Sequence, residues 1–227
     1  MRSFTLRGLT LYLPEAALKG NLERALSSGR YENHEADALM LHLRPGDRML
    51  DLGAGLGFIS ALAAGVLGED AVMGVEAGPE TVKLARRNLA ANGFEGVRIL
   101  KGAVVGTGEN EVEFGQRPAF WASALKGPEG WPEKAEVIRV PARPIGKLLA
   151  KFGPTVISCD IEGGELEVLT QPLPGVRLVV VETHPQVYGA EGVARLVAAL
   201  TGQGFAKADG AKKDTLVFRR SGGAGPE

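Results

Sequence analysis

Residues 48–57 read Arg48-Met49-Leu50-Asp51-Leu52-Gly53-Ala54-Gly55-Leu56-Gly57, and the next apolar run ends at Glu76. An apolar run of strand length, then glycines, then the apolar Phe58 to Leu67, predicts a buried strand, a turn and a helix. A second strand, Ala71 to Glu76, closes on an acid. A nucleotide-like ligand can lie across such a unit. The glycines admit it to the backbone, and the helix N-terminus offers unpaired N–H groups. The acid can accept hydrogen bonds from two ribose hydroxyls.

Outward from this unit the alternation continues. Gly78-Pro79 opens a helix with Val82, Ala85 and Leu89 on its buried face, and Asn92-Gly93 ends it. Third, fourth and fifth strands are expected at Val97–Lys101, Thr155–Asp160 and Arg177–Thr183, with a helix from about Gly163 between the last two. A helix with Val193, Leu196, Val197 and Leu200 in register precedes two closing strands, Phe205–Ala208 and Thr215–Arg219. The pattern is an α/β, Rossmann-like fold. It implies a mostly parallel seven-stranded sheet with an antiparallel C-terminal edge and helices on both faces.

Residues 1–46 are expected to form an N-terminal arm and helices. Phe4 to Leu13 pairs about Gly8, Pro14 opens a helix carrying Leu18, Leu22, Ala25 and Leu26, and a second helix carries Ala36, Leu39, Met40 and Leu43. Residues 47–220 form the main domain, with an insertion at about 107–153. Inside the insertion, Glu111–Phe114 and Val137–Val140 look like strands, and a short helix lies near Lys147. Such a long connection is functional or has structure of its own. The Gly-rich 221–227 is expected to be a disordered tail.

Composition narrows the classes. The formal charge is −1 over 227 residues, with no basic face beyond pairs such as Arg86-Arg87, which speaks against nucleic acid as a partner. The single cysteine, Cys159, excludes an internal disulfide and a cysteine-based zinc site, and suits a reducing compartment. Its apolar neighbours predict a buried, inert thiol. No apolar run follows Arg2 and Arg7 as a secretory signal would require. The longest apolar stretch, Phe58 to Leu67, falls short of the ~20 residues that span a bilayer. A cytoplasmic protein without a membrane partner is expected, and a homo-oligomer is compatible with the sequence.

The glycine spacing separates two cofactors. A dinucleotide site asks for G-x-G-x-x-G, but Phe58 holds the last position and Gly57 falls one residue early. An acid followed by G-x-G-x-G is common in S-adenosylmethionine sites, and Asp51 with Gly53-Ala54-Gly55-Leu56-Gly57 fits it. There Asp51 would serve the ammonium of the methionine end, directly or through water, the helix N-terminus its carboxylate, and Glu76 the ribose. Gly102-Ala103-Val104 would hold the adenine. More plainly, Asp51 is a strand-end carboxylate that caps the next turn.

The whole pattern resembles the FkbM family of S-adenosylmethionine-dependent methyltransferases. Gly29-Arg30-Tyr31-Glu32 looks like the family's G-x-Y-E entry, and Leu50–Gly57 like its first motif. Gly74-Val75-Glu76-Ala77, with Pro79 and Asn88, resembles the second. Asp160-Ile161-Glu162-Gly163-Gly164-Glu165 is similar to the specific D-[VI]-E-G-x-E element, and Val181-Glu182-Thr183-His184 to the E-x-H ending of strand five. Ser158 departs from the lysine often found before that aspartate. The resemblance implies a class I methyltransferase fold, adds Glu32, Ala77 and Asp160 to the cofactor side, and implies methylation of oxygen on a small-molecule or sugar acceptor.

Ligands in open α/β sheets sit outside the carboxyl ends of the strands. Asp160 and Glu162 are two apart, as are Glu182 and His184, so strand geometry would turn each pair to one side. His184 is the candidate general base, Glu182 would orient an acceptor hydroxyl or His184, and Glu162 is a further catalytic candidate beside the acceptor. The plainer alternatives are a histidine bonded to a backbone carbonyl and, for Glu162 and Glu165, carboxylates at a helix N-terminus. Oxygen ligands on Asp160, Glu162 and Glu182 would suit magnesium or calcium, but such acids in methyltransferases more often act without metal, and none is expected. Trp121 and Trp131 suggest a wall over the acceptor, or a small core within the insertion. His34 and His42 read as surface or capping residues. Three rivals stand beside this assignment: an N-methyltransferase acting on a macromolecule, a nicotinamide-dependent oxidoreductase, and a non-catalytic binding module. The first commonly shows Asn/Asp-Pro-Pro-aromatic where Asp160-Ile161-Glu162-Gly163 stands here.

Overall fold

The computed structural model describes residues 1–18, 20–108, 110–117, 123–127, 130, 131 and 134–220. A hairpin of β1 (Arg2–Leu6) and β2 (Leu9–Leu13) leads through α1 (Asn21–Ser27) and α2 (Asn33–His42) to β3 (Met49–Leu52). Then follow α3 (Phe58–Leu67), β4 (Val72–Glu76), α4 (Pro79–Ala91) and β5 (Arg98–Lys101). β6 (Ala103–Val105) follows, and the insertion supplies β7 (Glu111–Gln116), β8 (Glu136–Pro144) and α5 (Ile145–Phe152). The chain closes with β9 (Val156–Cys159), α6 (Glu165–Leu169), β10 (Leu178–Glu182), α7 (Pro185–Gly202), β11 (Phe205–Lys207) and β12 (Thr215–Arg220). Gly189, at φ 69°, breaks α7 after its first turn.

The main sheet has seven strands in the order β11-β12-β10-β9-β3-β4-β5. β10, β9, β3, β4 and β5 pair in parallel, and β12 runs antiparallel to both neighbours, as expected. The chain moves from β3 to β4 and β5 on one side, then returns to β9 on the other. That switch point opens a crevice at the carboxyl ends of β3, β4 and β9.

Strand alternation divides the core into two layers. Met49, Val156, Leu178 and Val180 face α2, α3, α4 and the N-terminal hairpin. Leu50, Leu52, Ile157, Cys159, Val179 and Val181 face α5, α6 and α7. Leu11, Leu13, Leu22, Leu26 and Leu39 share the first layer, so the N-terminal elements are built into the same core. Two α4 side chains dock the hairpin: Asn88 and Asn92 accept from the Tyr12 and Thr10 amides, each at 2.8 Å. Spaced four apart, they share a helix face and stand in for a neighbouring strand. At the far end, Arg177 pairs in bidentate fashion with the buried Asp47, joining the loop before β3 to the start of β10. Burial opposes the Asp47 charge, but Arg177, Thr155 and the Arg44 amide outweigh it and hold the carboxyl below its usual range.

Several local expectations change. Pro14 opens only a single 3-10 turn, Glu15–Ala17, and Gly20, at φ 60°, separates it from α1. α6 is a five-residue helix that starts at Glu165, later than expected. Ala103–Val105 forms a strand that the sequence did not suggest, parallel to β8, in a second sheet of order β6-β8-β7. The insertion has the small core expected as one alternative, with Ala103, Phe114 and Val140 at its centre. Trp131 serves that body and lies against Gly115 of β7. Trp121 and the 221–227 tail lie outside the described residues. Among the described residues no helix is long and apolar enough to cross a membrane.

Candidate functional site

One cleft lies at the switch point, enclosing about 690 Å³ that is partly open to solvent. Its lining joins the glycine turn, the β4 end, the insertion and the loop after β9. Gly53 is required there by close approach. A Cβ at this position would lie 1.7 Å from the Asp160 carbonyl oxygen, and its φ is +85°. The turn is tied to β4 by the Gly53 and Ala54 amides, which donate to the Val75 carbonyl at 2.9 and 3.0 Å. Asn88 of α4 donates to the Leu56 carbonyl at 3.0 Å.

Glu76 faces the cleft from the end of β4. Its Oε2 accepts from the Gly55 amide at 3.1 Å and its Oε1 from the Gly78 amide at 2.7 Å. Each oxygen keeps a second lone pair, which suits two vicinal hydroxyls. Burial pushes the carboxyl up to about 7, against the pull of the Gly78, Gly55 and Ala77 amides.

Asp51 stands outside the cleft lining. Alternation turns it toward α3, where it is buried and accepts a 2.6 Å hydrogen bond from Ser60 Oγ. Burial raises its carboxyl to about 6. Ala54 and Gly57 are likewise buried outside the cleft lining. Gly57 backs onto Ala85 of α4, where a Cβ would come within 3.1 Å of the Ala85 carbonyl. Of the other cofactor candidates, Glu32, Gly53, Gly55, Glu76, Ala77, Ala103, Val104 and Asp160 all line the cleft. Tyr31, Phe114, Ser123 and Leu125 join them without having been singled out. Tyr31 was legible as part of the G-x-Y-E element, whereas nothing in the insertion marked the other three.

The acids at the far end of the cleft converge by a turn rather than by strand alternation. β9 stops at Cys159, and Glu162 adopts a left-handed φ of 51°. His184 Nε2 lies 3.6 Å from Asp160 Oδ1 and 3.4 Å from Glu162 Oε2. Its Nδ1 donates to Glu165 Oε1 at 3.1 Å. Glu165, fully buried, also accepts from the Ile161 amide at 3.0 Å and the Gly163 amide at 3.1 Å, so it orients the ring rather than merely starting a helix. Asp160 is held well above the usual carboxylate range by burial and by Glu182, Glu162 and Glu32. Burial lifts Glu162 to about 7, against the attraction of His184. Burial disfavours the imidazolium of His184, but the hydrogen bond and charge of Glu165, with Glu162 and Glu182, carry it up to about 9.

Two catalytic candidates stand back from the cleft. His184 is 4% exposed and lies behind Asp160 and Glu162, outside the lining. Glu182 also lies outside the lining, and its carboxyl is raised by burial and by Glu35. Glu162 alone of the three lines the cleft. Cys159 is buried and its thiol is raised well above its ordinary value by that burial, as expected of an inert group. His42 donates from Nε2 to the Asp209 carbonyl at 2.8 Å, away from the cleft.

A methyltransferase domain family matches residues 43–108, the segment that carries β3, the glycine turn, β4 and α4. Trm1 from Pyrococcus horikoshii, solved with S-adenosyl-L-methionine, superposes with a TM-score of 0.51 at 13% identity, over 96% of this chain and 60% of that one. The fold is that of the class I, Rossmann-like methyltransferases. Protein-L-isoaspartate O-methyltransferase 1 of Archaeoglobus fulgidus is 41% identical over 64 residues, 28% of this chain and 30% of that protein. Ribosomal protein L11 methyltransferase of Acetivibrio thermocellus is 32% identical over 92 residues, 40% of this chain and 29% of that protein. These matches span less than a third of each relative's length. The matched family supports S-adenosylmethionine as the cofactor.

Proposed function

We propose that this protein transfers a methyl group from S-adenosylmethionine to a hydroxyl of a small molecule or sugar, as its resemblance to the FkbM family implies. One observation carries the proposal. A single cleft has Glu76, with two free lone pairs, beside the glycine turn, and Glu162 with Asp160 at its other end. The ribose would take Glu76, and the adenine would lie along Ala103 and Val104. Asp160 and Glu32 would face the positive methionine end. Asp51 would act through Ser60 and the turn, without touching the ligand.

In the transfer, the acceptor oxygen attacks the methyl carbon in line with the carbon–sulfur bond. That bond breaks, its electrons stay on sulfur, and S-adenosylhomocysteine leaves. The sulfonium is already electrophilic, so alignment is the protein's main contribution. The acceptor's proton passes to Glu162, the catalytic candidate that lines the cleft. His184, oriented by Glu165, positions Glu162 and Asp160 from behind. A second possibility, methylation of nitrogen on a macromolecule, draws support from the relatives named for ribosomal protein L11 and RNA.

The test is transfer of labelled methyl from S-adenosylmethionine to panels of hydroxylated small molecules, sugars, ribosomal protein and RNA. Label in a hydroxylated small molecule or sugar supports the proposal. Label only in protein or RNA transfers the activity to the second possibility, and a nitrogen product removes the hydroxyl assignment.

A further inference from the structure

The cluster behind the cleft holds more donor atoms than methyl transfer needs. Asp160, Glu162 and His184 each present one donor, all within 4.8 Å of one another. Asp160 Oδ1 is shut off from solvent and accepts no hydrogen bond. The His184 side chain is 6% exposed, and its Nε2 reaches both carboxylates only at 3.4–3.6 Å, long for hydrogen bonds. Buried polar atoms in native proteins are normally satisfied, so the orphaned Asp160 oxygen, facing His184 Nε2 at 3.6 Å, calls for a ligand.

Three further features identify that ligand as a cation. The donors are two carboxylate oxygens and an imidazole nitrogen, a mixed set that suits first-row divalent ions. The two His184–carboxylate distances fit: an ion held at about 2.0–2.2 Å from nitrogen and oxygen needs donors about 3–4 Å apart, and they lie at 3.4 and 3.6 Å. The ring is also oriented as metal-binding histidines are. Glu165 holds Nδ1–H through its hydrogen bond and turns Nε2 toward the carboxylates, so a cation that displaces the Nε2 proton would meet that nitrogen's lone pair. Glu165 is itself locked by the Ile161 and Gly163 amides.

We propose that Asp160, Glu162 and His184 bind a divalent cation of the Mn²⁺ or Zn²⁺ kind at the inner end of the cleft, with Glu165 as the group that orients His184. The site rests on its own donors, independently of the methyl-transfer proposal. Glu162 offers the cation the oxygen that faces His184 and leaves its other oxygen to the cleft. A cation there would bring positive charge to the place where an acceptor hydroxyl loses its proton, as a Lewis acid does.

The test uses Mn²⁺ alone with the purified, chelator-stripped full chain. Titration followed by electron paramagnetic resonance should show one bound ion per chain, and echo-envelope modulation should show coupling to a histidine nitrogen. His184→Gln should abolish that coupling. Glu162→Gln, at a half-buried position that tolerates an isostere, should weaken Mn²⁺, and Glu165→Gln should weaken it by about 10–100-fold through the second shell. Asp37→Asn, at a distant surface acid, should leave binding unchanged. Absence of bound Mn²⁺, absence of nitrogen coupling in the unaltered protein, or unchanged affinity in Glu162→Gln would each overturn the site. S-adenosylhomocysteine affinity measured on the same samples reports separately on the cofactor cleft.

Discussion

Replacing Glu76 by glutamine tests the cofactor end of the cleft. Each carboxylate oxygen already accepts one amide, from Gly55 or Gly78, and has one lone pair left for a ribose hydroxyl. Glutamine keeps one acceptor and puts an NH₂ where the other stood. One hydrogen bond to a charged group is then lost, about 1.5–3 kcal/mol, and its neighbour becomes a neutral one. A loss of about 2–3 kcal/mol weakens S-adenosylhomocysteine roughly 30–150-fold. The pH dependence isolates the same group. Its carboxyl sits at about 7 because burial, with a small contribution from Asp51, disfavours the charge. Ribose hydroxyls donate to the ionised form, so affinity should rise with pH and level off above 7. At pH 6 about one molecule in ten is ionised, and affinity should be roughly tenfold below its plateau. In Glu76→Gln that component should vanish, while contributions from Asp160 and Glu162 remain in both proteins. Calorimetry at pH 6, 7 and 8 measures both effects. Affinity within twofold of the parent at pH 8, or the same pH dependence in both proteins, would refute the reasoning.

Further outcomes follow from other contacts. Glu162→Gln should lower turnover by about 10²–10⁴, the usual share of a general base, while S-adenosylhomocysteine affinity changes little; unchanged turnover on an identified acceptor would remove its role. Gly53→Ala should prevent stable folding or abolish cofactor binding, since its Cβ would meet the Asp160 carbonyl at 1.7 Å, and thermal melting with calorimetry would show which. Arg177→Ala should cost about 3–5 kcal/mol in urea unfolding, because it strands the buried Asp47 charge. The Asp47 carboxyl lies below its ordinary value in the folded state. Its stabilisation is therefore full above that ordinary value and lost as pH falls through the folded one, and unfolding from pH 7 to 2 should show this component disappear in Arg177→Ala.

The parallel sheet was legible because its strands are short apolar runs between glycines and prolines, and their ends moved by only a residue. The place of Glu76 in the cleft was legible for the same reason: it ends the strand that follows the glycine turn. Asp51 was harder. Whether a strand-end acid faces the ligand or a helix depends on one step of alternation, and Ser60, nine residues on, receives it. Spacing suggested that Asp160, Glu162 and His184 share one side, but their convergence comes from the left-handed turn at Glu162, which residue spacing does not encode. Burial of His184 depends on Glu165, and no periodicity links the two. β6 escaped notice because three residues carry too little pattern, and its partner lies across the insertion.

The most direct measurement is a calorimetric titration of the purified protein with S-adenosylhomocysteine, with NADH as the parallel ligand. The structure predicts saturable binding of S-adenosylhomocysteine and none of NADH. Binding of NADH alone would contradict the assignment of the cleft and return the glycine turn to a dinucleotide.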